Sequence, residues 1–157
     1  MSSLEFWIFI SSLADRNLLV FGSIILIIYL LYKKEYKNII LFLAAYPGGV
    51  VLNKILKELL QIPRPADALI PIQGYGFPSG HAMSAVIFYF LLIFLFYKKI
   101  ENNAVRNTFI GGNVLIILLV GLSRIMLKVH SLYDVIGGYV MGLLWLFVIY
   151  KALEKLS

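Results

Sequence analysis

Two histidines, His81 and His130, are the side chains in this sequence best suited to catalysis. His130 stands four residues before Asp134, so at the start of a helix the carboxylate can reach one ring nitrogen. Such a carboxylate fixes the tautomer, leaves the other nitrogen free to attack and stabilises the charge that develops. His81 has no acidic neighbour and suits a general acid, which protonates a leaving oxygen and later activates water. The pair predicts nucleophilic catalysis assisted by a proton donor.

Three basic residues and a helix start accompany the histidines. Arg64 and Arg124 carry forked guanidinium groups that match phosphate oxygens in a bidentate way, while Lys57 supplies a point charge. Ser79 and Gly80 directly precede a long apolar run, so we expect them to present free backbone N–H groups at the positive end of a helix. Glycine also lets the backbone approach an oxyanion closely. This set predicts a site for an anion carrying about two negative charges, such as a phosphate.

These polar residues fall in three stretches, which we call motif 1 (KELLQIPRP, residues 57–65), motif 2 (PSGH, residues 78–81) and motif 3 (SRIMLKVHSLYD, residues 123–134). Motif 1 closes a predicted helix, motif 2 opens the next one, and motif 3 joins the last two helices. In an up-and-down bundle these three positions lie on the same side of the membrane. We therefore expect the three motifs to converge on one pocket.

Each residue taken alone also has a simpler explanation. Basic residues near helix ends often anchor a helix at the membrane interface, prolines stop helices, Ser79 suits an N-cap, and His130 with Asp134 could be an ordinary helical pair. Two histidines and a carboxylate could also bind zinc, but the three nearby cations would repel a metal ion. The agreement of the motifs in order, spacing and membrane side favours a phosphate site that needs no metal or other cofactor.

The composition is that of a membrane protein. Of the 157 residues, 61% are hydrophobic, and the mean hydropathy is +0.91. Four long runs carry no charge, and with their flanks several reach the roughly 20 apolar residues that span a bilayer. The net charge of +6 is not arranged as a basic stripe between exposed aromatic residues, which disfavours a nucleic-acid partner. The chain has no cysteine, so disulfides are excluded. The uncharged runs are residues 24–32, 39–52, 82–97 and 114–122.

The predicted fold is an all-α polytopic helix bundle that forms one membrane-embedded domain over residues 1–157. Residues 4–13 are too short to span and predict an interfacial or re-entrant helix within a short N-terminal segment, residues 1–15. They are followed by Asp15 rather than by a small-residue cleavage site, which argues against a cleavable signal peptide. Gly138 and Gly142 have the spacing that lets membrane helices pack closely. Five spanning helices are predicted at residues 17–32, 38–60, 80–97, 106–126 and 132–152.

The distribution of basic residues between the two ends of the bundle predicts its orientation. The positive-inside rule assigns the end with more lysine and arginine to the cytoplasm. That rule predicts a cytoplasmic C-terminus and a pocket facing the periplasm or the exterior, and we expect the protein to lie in the inner membrane. The predicted cytoplasmic group is Lys33, Lys34, Lys37, Lys98, Lys99, Arg106, Lys151 and Lys155. The opposite group is Arg16, Lys54, Lys57, Arg64, Arg124 and Lys128.

The three motifs resemble the signatures of the type 2 phosphatidic acid phosphatase superfamily, which also includes vanadium-dependent haloperoxidases, bacterial acid phosphatases and glucose-6-phosphatase. All the signature positions are intact, and they extend over residues 57–134, about half of the chain. The three patterns together are specific, whereas PSGH alone would be weak. The matching patterns are Lys57-x6-Arg64-Pro65, Pro78-Ser79-Gly80-His81 and Ser123-Arg124-x5-His130-x3-Asp134.

The resemblance implies a metal-independent phosphatase that works through a phosphohistidine on His130, with Asp134 as its partner and His81 as the acid. Membrane members of the family commonly have six spanning helices, and their first motif closes the third. Here one full span precedes that helix, so residues 4–13 resemble a shortened first span. The phosphate contacts that the resemblance implies are Lys57, Arg64, Ser79, Gly80 and Arg124.

The sequence thus predicts a lipid phosphate phosphatase acting on a substrate that stays in the outer leaflet. Only residues 66–77 separate motif 1 from motif 2, which is too short for a large lid, so a bulky headgroup is expected to fit. Lipid A 1-phosphate and undecaprenyl diphosphate are such substrates; phosphatidylglycerol phosphate and phosphatidic acid are the other candidates, and the choice stays open.

Two alternatives come from other functional classes. A non-enzymatic phosphate or anionic-lipid binder or transporter could use the same scaffold, but binding alone needs cations and not an aligned His–Asp pair. A vanadate-dependent oxidation is disfavoured because a membrane-buried pocket suits lipids better than halide chemistry.

Overall fold

The computed structural model describes residues 2–155. Over this range all regular secondary structure is helical, and there is no β-strand. A short 3-10 turn, Tyr97–Lys99, follows the fourth helix. The helices are α1 (Ser3–Ser12), α2 (Arg16–Tyr32), α3 (Tyr36–Leu60), α4 (Gly80–Phe96), α5 (Asn103–Met126) and α6 (Leu132–Glu154).

The predicted membrane architecture is confirmed. Five helical segments are long and apolar enough to cross a bilayer; the first, Ser3–Tyr32, runs through α1 and α2. The other four are α3, α4 with its 3-10 turn, α5 and α6. Many large apolar side chains on the outer faces are exposed, among them Phe21, Ile28 and Phe147. Exposing such surfaces to water would be unfavourable in free energy, whereas in a bilayer they contact the hydrocarbon chains.

Side-chain caps explain where most of these helices begin. Asp15 accepts a hydrogen bond from the amide of Asn17 at 2.9 Å and so starts α2. Asn102 accepts from the amide of Val105 at 3.1 Å, so α5 begins at Asn103, three residues earlier than predicted. Ser131 caps α6 in the same way. Each cap satisfies backbone N–H groups that have no partner within the helix.

The central helix is α4. Half of its apolar span is buried, compared with a third or less of each of the other four spans. It packs against α3, α5 and α6, and most of its buried residues belong to the main hydrophobic cluster. Because motif 2 leads into the first turn of this helix, the most constrained element of the bundle carries His81.

Two glycines of α6 allow the close helix packing that their spacing predicted, and this packing brings motif 3 against motif 2. A Cβ atom on Gly138 would lie 2.6 Å from the carbonyl oxygen of Ser79, and one on Gly142 would lie 3.2 Å from that of Met83. At Gly138 only glycine permits this approach of α6 to the start of α4. The close packing places the beginning of α6, which carries Asp134, beside residues 78–81.

Residues 4–13 form a helix as predicted, and α1 packs against α5. Its last turn and the following residues are buried at Ile10, Ser11 and Ala14. The hydroxyl of Tyr89 donates a hydrogen bond to the carbonyl oxygen of Leu13 at 2.7 Å. The segment is therefore fixed to the bundle at its C-terminal end; the interfacial position of its remainder stays a prediction.

Candidate active site

Hydrogen bonds between the loops draw the three motifs together. The amide of Ser79 in motif 2 donates to the carbonyl oxygen of Asp134 in motif 3 at 2.9 Å. The Nη1 atom of Arg64 in motif 1 donates to the carbonyl oxygen of Val129 in motif 3 at 2.9 Å. The amide of Gly76 donates to the carbonyl oxygen of Ile62 at 2.7 Å. The predicted convergence of the motifs at one end of the bundle is what the structure has.

His130 and Asp134 form a buried pair. The Nδ1 atom of His130 lies 3.4 Å from Oδ2 of Asp134, and their side chains are 2% and 5% exposed. The same Oδ2 atom accepts the amide of Ser131 at 2.8 Å, while the Ser131 hydroxyl accepts the amide of Asp134 at 3.2 Å. This reciprocal capping box fixes the carboxylate on the first turn of α6. Asp134 therefore serves the helix start and the histidine together.

The other nitrogen of the His130 ring faces Arg64. The distance from Nη1 of Arg64 to Nε2 of His130 is 3.0 Å. A guanidinium group can only donate, so Nε2 is the acceptor and the ring proton is assigned to Nδ1, towards Asp134. This tautomer carries its lone pair on Nε2, which is the arrangement that a nucleophilic histidine needs.

The surroundings of His130 keep its ring neutral. Burial, together with the positive charges of Arg64, Lys57 and Arg124, lowers the pKa of His130 from 6.5 to about 2. A histidine with this pKa is unprotonated throughout the physiological range. The ring is therefore available as a nucleophile without a separate deprotonation step.

The two cations of motif 1 hold the loop that leads to motif 2. The Nζ atom of Lys57 donates to the carbonyl oxygens of Tyr75 at 2.5 Å and Gly76 at 3.3 Å. The Nε atom of Arg64 donates to the carbonyl oxygen of Gly74 at 2.9 Å. Both residues keep further donor hydrogens, because an ammonium has three and a guanidinium five. They can hold the loop and present positive charge to an anion simultaneously.

The start of α4 corrects one sequence expectation. The amide of Ser79 is not free for an anion, because it donates to the carbonyl oxygen of Asp134. Ser79 is fully buried, and its hydroxyl accepts the amide of Ala82 at 3.5 Å. The amides that precede the first intrahelical bond of α4 are those of Gly80 and His81. Anion binding at this helix start therefore depends on these two amides.

Arg124 is the most deeply buried cation of the site. It is 2% exposed, and its Nη1 atom donates to the hydroxyl of Ser11 in α1. Its Nε atom is buried and has no hydrogen-bond partner in residues 2–155. The carbonyl oxygen of Arg124 accepts the amides of Val129 at 3.1 Å and His130 at 3.3 Å. The arginine thus shapes the turn that carries His130.

His81 lies on the wall of a cavity of about 420 Å³. The start of α2 also lines this cavity, with Asp15, Arg16 and Asn17, and α3 contributes Asn53. Within the part of the chain that the structure describes, the His81 ring makes no side-chain hydrogen bond. The ring is therefore free to exchange a proton with a molecule in the cavity.

Sequence reasoning missed several residues of this site. Asn53 donates to the carbonyl oxygen of Pro78 at 3.3 Å, and a Cβ atom on Gly80 would lie 3.2 Å from its Oδ1. A single amide beside the long uncharged run of residues 39–52 was the available signal. Ser11 and Arg16 carried no comparable signal, because small hydroxyl residues and lone arginines are ordinary near helix ends.

A family model described as the PAP2 superfamily matches residues 38–157, more than three quarters of the chain. The chain belongs to the PAP2 superfamily. This membership confirms the resemblance drawn from the three motifs. All three motifs lie inside the matched residues, whereas α1 and α2 lie outside them.

A solved structure supports the same assignment of this PAP2 protein. It is the crystal structure of a transmembrane PAP2-type phosphatidylglycerolphosphate phosphatase from Bacillus subtilis. The match has a TM-score of 0.87 at 29% sequence identity and covers 98% of this chain and 78% of that one. The helical fold, including the N-terminal helices, is therefore shared with a membrane phosphatase.

Similar curated proteins are also phosphatases by name. Phosphatidylglycerophosphatase B of Bacillus subtilis is 33% identical over 129 residues, which cover 80% of this PAP2 chain and 63% of that protein. Dolichyldiphosphatase 1 of Rhinolophus ferrumequinum is 28% identical over 145 residues, covering 81% and 58%. Sphingosine-1-phosphate phosphatase 1 of Rattus norvegicus is 32% identical over 115 residues, covering 68% and 26%. The chain thus spans less than two thirds of the length of these relatives.

Proposed function

We propose that this PAP2 protein is a membrane lipid phosphate phosphatase that works through a phosphohistidine on His130. The observation that carries the proposal is the state of this ring: buried, neutral, and held between Asp134 on Nδ1 and Arg64 on Nε2. Phosphoryl transfer asks a protein mainly for positioning and charge stabilisation. A binder or transporter of phosphate would need the cations but would not need this aligned ring.

The first step moves the phosphoryl group to His130. The incoming phosphate displaces Nη1 of Arg64 from Nε2, and the guanidinium binds an oxygen of the phosphate instead. The Nε2 lone pair forms the new N–P bond while the P–O bond to the lipid breaks. His81 in its protonated form gives its proton to the leaving oxygen, so the lipid departs as an alcohol. Asp134 stabilises the positive charge that the His130 ring then carries.

The second step returns the enzyme to its starting state. A water molecule attacks the phosphorus atom as His81, now neutral, takes one of its protons. The N–P bond breaks, its electron pair returns to Nε2, and inorganic phosphate is released. Three cations, Lys57, Arg64 and Arg124, and the amides of Gly80 and His81 stabilise the phosphate oxygens in both steps.

The cavity beside His81 favours a glycerolipid monoester of the phosphatidylglycerol phosphate type. Because His81 protonates the leaving group, the leaving lipid must lie on its side of the site, in this cavity. After loss of the terminal phosphate, that substrate leaves as a glycerol bearing a hydroxyl group and a phosphodiester. Asp15 can accept the hydroxyl hydrogen and Arg16 can bind the phosphodiester anion. The similarity to phosphatidylglycerophosphatase B supports the same choice.

Phosphate release from purified lipids in detergent tests the proposal. We expect phosphatidylglycerol phosphate to be hydrolysed with the highest kcat/KM in a panel with phosphatidic acid, undecaprenyl diphosphate and lipid A 1-phosphate. Arg16→Ala should lower kcat/KM about 5-fold for phosphatidylglycerol phosphate, the effect of losing roughly 1 kcal/mol at an exposed ion pair. It should leave phosphatidic acid unaffected, since its leaving group has no phosphodiester.

Arg106→Ala is the matched control, because Arg106 lies in the first turn of α5, about 27 Å from Arg124 along the helix axis. If Arg16→Ala lowers kcat/KM equally for phosphatidylglycerol phosphate and phosphatidic acid, the cavity does not recognise the phosphodiester. A preference for undecaprenyl diphosphate would indicate a polyprenyl diphosphate substrate, as the name of dolichyldiphosphatase 1 indicates for that protein. If no lipid releases phosphate, the alternative of a non-enzymatic phosphate or anionic-lipid binder or transporter is favoured.

We also propose that the protein lies in the plasma membrane, the inner membrane of a two-membrane cell, with the active site outside and the C-terminus in the cytoplasm. The chain has no native cysteine, so single cysteines report topology without background. Asp67→Cys, exposed at the active-site end, should react with an impermeant maleimide in intact cells. Glu101→Cys, exposed at the opposite end, should react after the cells are opened. The reverse pattern would invert the orientation.

A further inference from the structure

The last turn of α1 reaches the phosphate site. Ser11 is 6% exposed, and its hydroxyl accepts a hydrogen bond from Nη1 of Arg124, 113 residues along the chain. Ser11 lies outside residues 38–157, which the family model matches. It is therefore a contact to the signature arginine made by a part of the chain that the motifs do not describe.

Arg124 needs such a contact because its environment offers few others. A buried guanidinium group that lacks hydrogen bonds is costly. In residues 2–155 the Nε atom has no partner, although it is buried. Donor groups left unpaired in a phosphate pocket are where a phosphate oxygen would bind. Ser11 thus satisfies one nitrogen and leaves Nε for the ligand.

The position of Ser11 is itself fixed. The neighbouring residues Ile10 and Ala14 are buried, and α1 packs against α5, the helix that carries Arg124. The hydrogen bond from Tyr89 to the carbonyl oxygen of Leu13 ties the end of α1 to α4. A hydroxyl held in this way can select one conformation of a long, flexible arginine side chain, whose ordering is otherwise entropically unfavourable.

We propose that Ser11 is a positioning residue: it holds the guanidinium of Arg124 through Nη1 so that Nε and the remaining donors face the phosphoryl group. This inference rests on the proposed function, because it assigns a role within that phosphate site. It also gives α1 a function: the short first helix completes the active site from outside the motif region.

Ser11→Ala tests the proposal, with Ser12→Ala as the matched control. Ser12 is exposed on the same helical turn, and its hydroxyl donates to the carbonyl oxygen of Phe9 at 2.7 Å, away from Arg124. We expect Ser11→Ala to lower kcat/KM by about 10-fold or more, the usual effect of losing a hydrogen bond to a charged group. The kcat/KM of Ser12→Ala should stay within about 2-fold of the wild type, because substitutions of exposed residues usually have small effects.

Orthovanadate inhibition and rescue distinguish positioning from simple loss of folding. The inhibition constant for orthovanadate should rise about 10-fold in Ser11→Ala, because the inhibitor uses the same arginine as the phosphoryl group. Ser11→Thr, which keeps the hydroxyl, should restore most of the lost activity. In an Arg124→Ala background, Ser11→Ala should have no further effect, because residues that act through one contact are not additive.

A loss of activity in Ser11→Ala that follows the folded fraction, with an unchanged orthovanadate constant, would overturn the inference. So would equal behaviour of Ser11→Ala and Ser12→Ala. Binding of inorganic phosphate, measured by calorimetry, separates this result from the function itself. If the wild-type protein hydrolyses no lipid, the proposed function is contradicted. If Ser11→Ala then still binds inorganic phosphate more weakly than the wild type, the role of Ser11 is supported.

Discussion

Replacing Asp134 with asparagine removes one charge and keeps the shape of the side chain. The amide oxygen of Asn can still accept the Ser131 amide and preserve the cap of α6. What it cannot supply is a negative charge 3.4 Å from Nδ1 of His130. The change therefore isolates the electrostatic role of Asp134 from its structural one.

The expected size of the effect follows from that distance. At an effective dielectric constant of about 20, opposite unit charges 3.4 Å apart attract by about 5 kcal/mol. In a loose phosphoryl-transfer transition state only part of the positive charge has formed on the ring. Taking about half of it gives roughly 2.5 kcal/mol, or about 70-fold in rate. We expect kcat of Asp134→Asn to fall by this order, while KM changes little.

The assay is steady-state release of phosphate from phosphatidylglycerol phosphate in detergent, combined with thermal unfolding of each variant. Asp67→Asn is the control, because Asp67 forms an exposed ion pair with Lys128 at 2.7 Å, and exposed pairs contribute little. A folded Asp134→Asn protein with kcat within 5-fold of the wild type would refute the electrostatic role. A loss confined to KM would also refute it, because the charge acts on the transition state.

Gly76→Ala should destabilise the protein by about 1–3 kcal/mol and lower kcat, because the new methyl group would lie 2.9 Å from the carbonyl oxygen of Pro63 and 3.3 Å from Oδ2 of Asp134. Gly111→Ala, with nothing within 4 Å, should leave both unchanged or raise stability, and equal behaviour of the two variants would contradict the packing argument. Lowering the pH should destabilise the wild type more than His130→Gln: the pKa of His130 is about 2 in the folded protein and 6.5 when unfolded, so its contribution is present above pH 6.5 and lost as the pH falls. Between pH 6.5 and 5.5 the wild type should lose about 1 kcal/mol more unfolding free energy than His130→Gln. Equal changes in melting temperature with pH for the two proteins would contradict the buried, neutral ring. Dialysis against EDTA should leave kcat/KM unchanged, since three cations serve the phosphate; loss of activity restored only by a divalent ion would establish a metal requirement.

The helices were predictable because apolar length and capping residues decide them locally. The predicted ends at residues 60 and 126 and the predicted starts at residues 80 and 132 agree with the structure. The start of α5 was predicted three residues late because Asn102 caps the helix before its apolar run begins. Caps that precede polar first turns give no hydrophobic signal, so helix starts are harder to place than spans.

The candidate site was predictable where the chemistry lies in the side-chain types. His81, His130, Asp134 and the three cations could be named from motif spacing, and the structure brings them to one end of the bundle. The availability of each group was not predictable, since it depends on contacts between distant segments. The Ser79 amide is used by Asp134, and Ser11 reaches Arg124 across 113 residues. Such contacts leave no periodic trace in the sequence.

Trapping the covalent intermediate tests the central claim most directly. Enzyme mixed with a lipid labelled with ³²P in its terminal phosphate is quenched within one turnover, and the labelled peptide is identified by mass spectrometry. We predict an alkali-stable, acid-labile phosphoramidate on His130, absent from His130→Ala. Label on another residue, or phosphate release by a folded His130→Ala protein, would contradict the phosphohistidine mechanism.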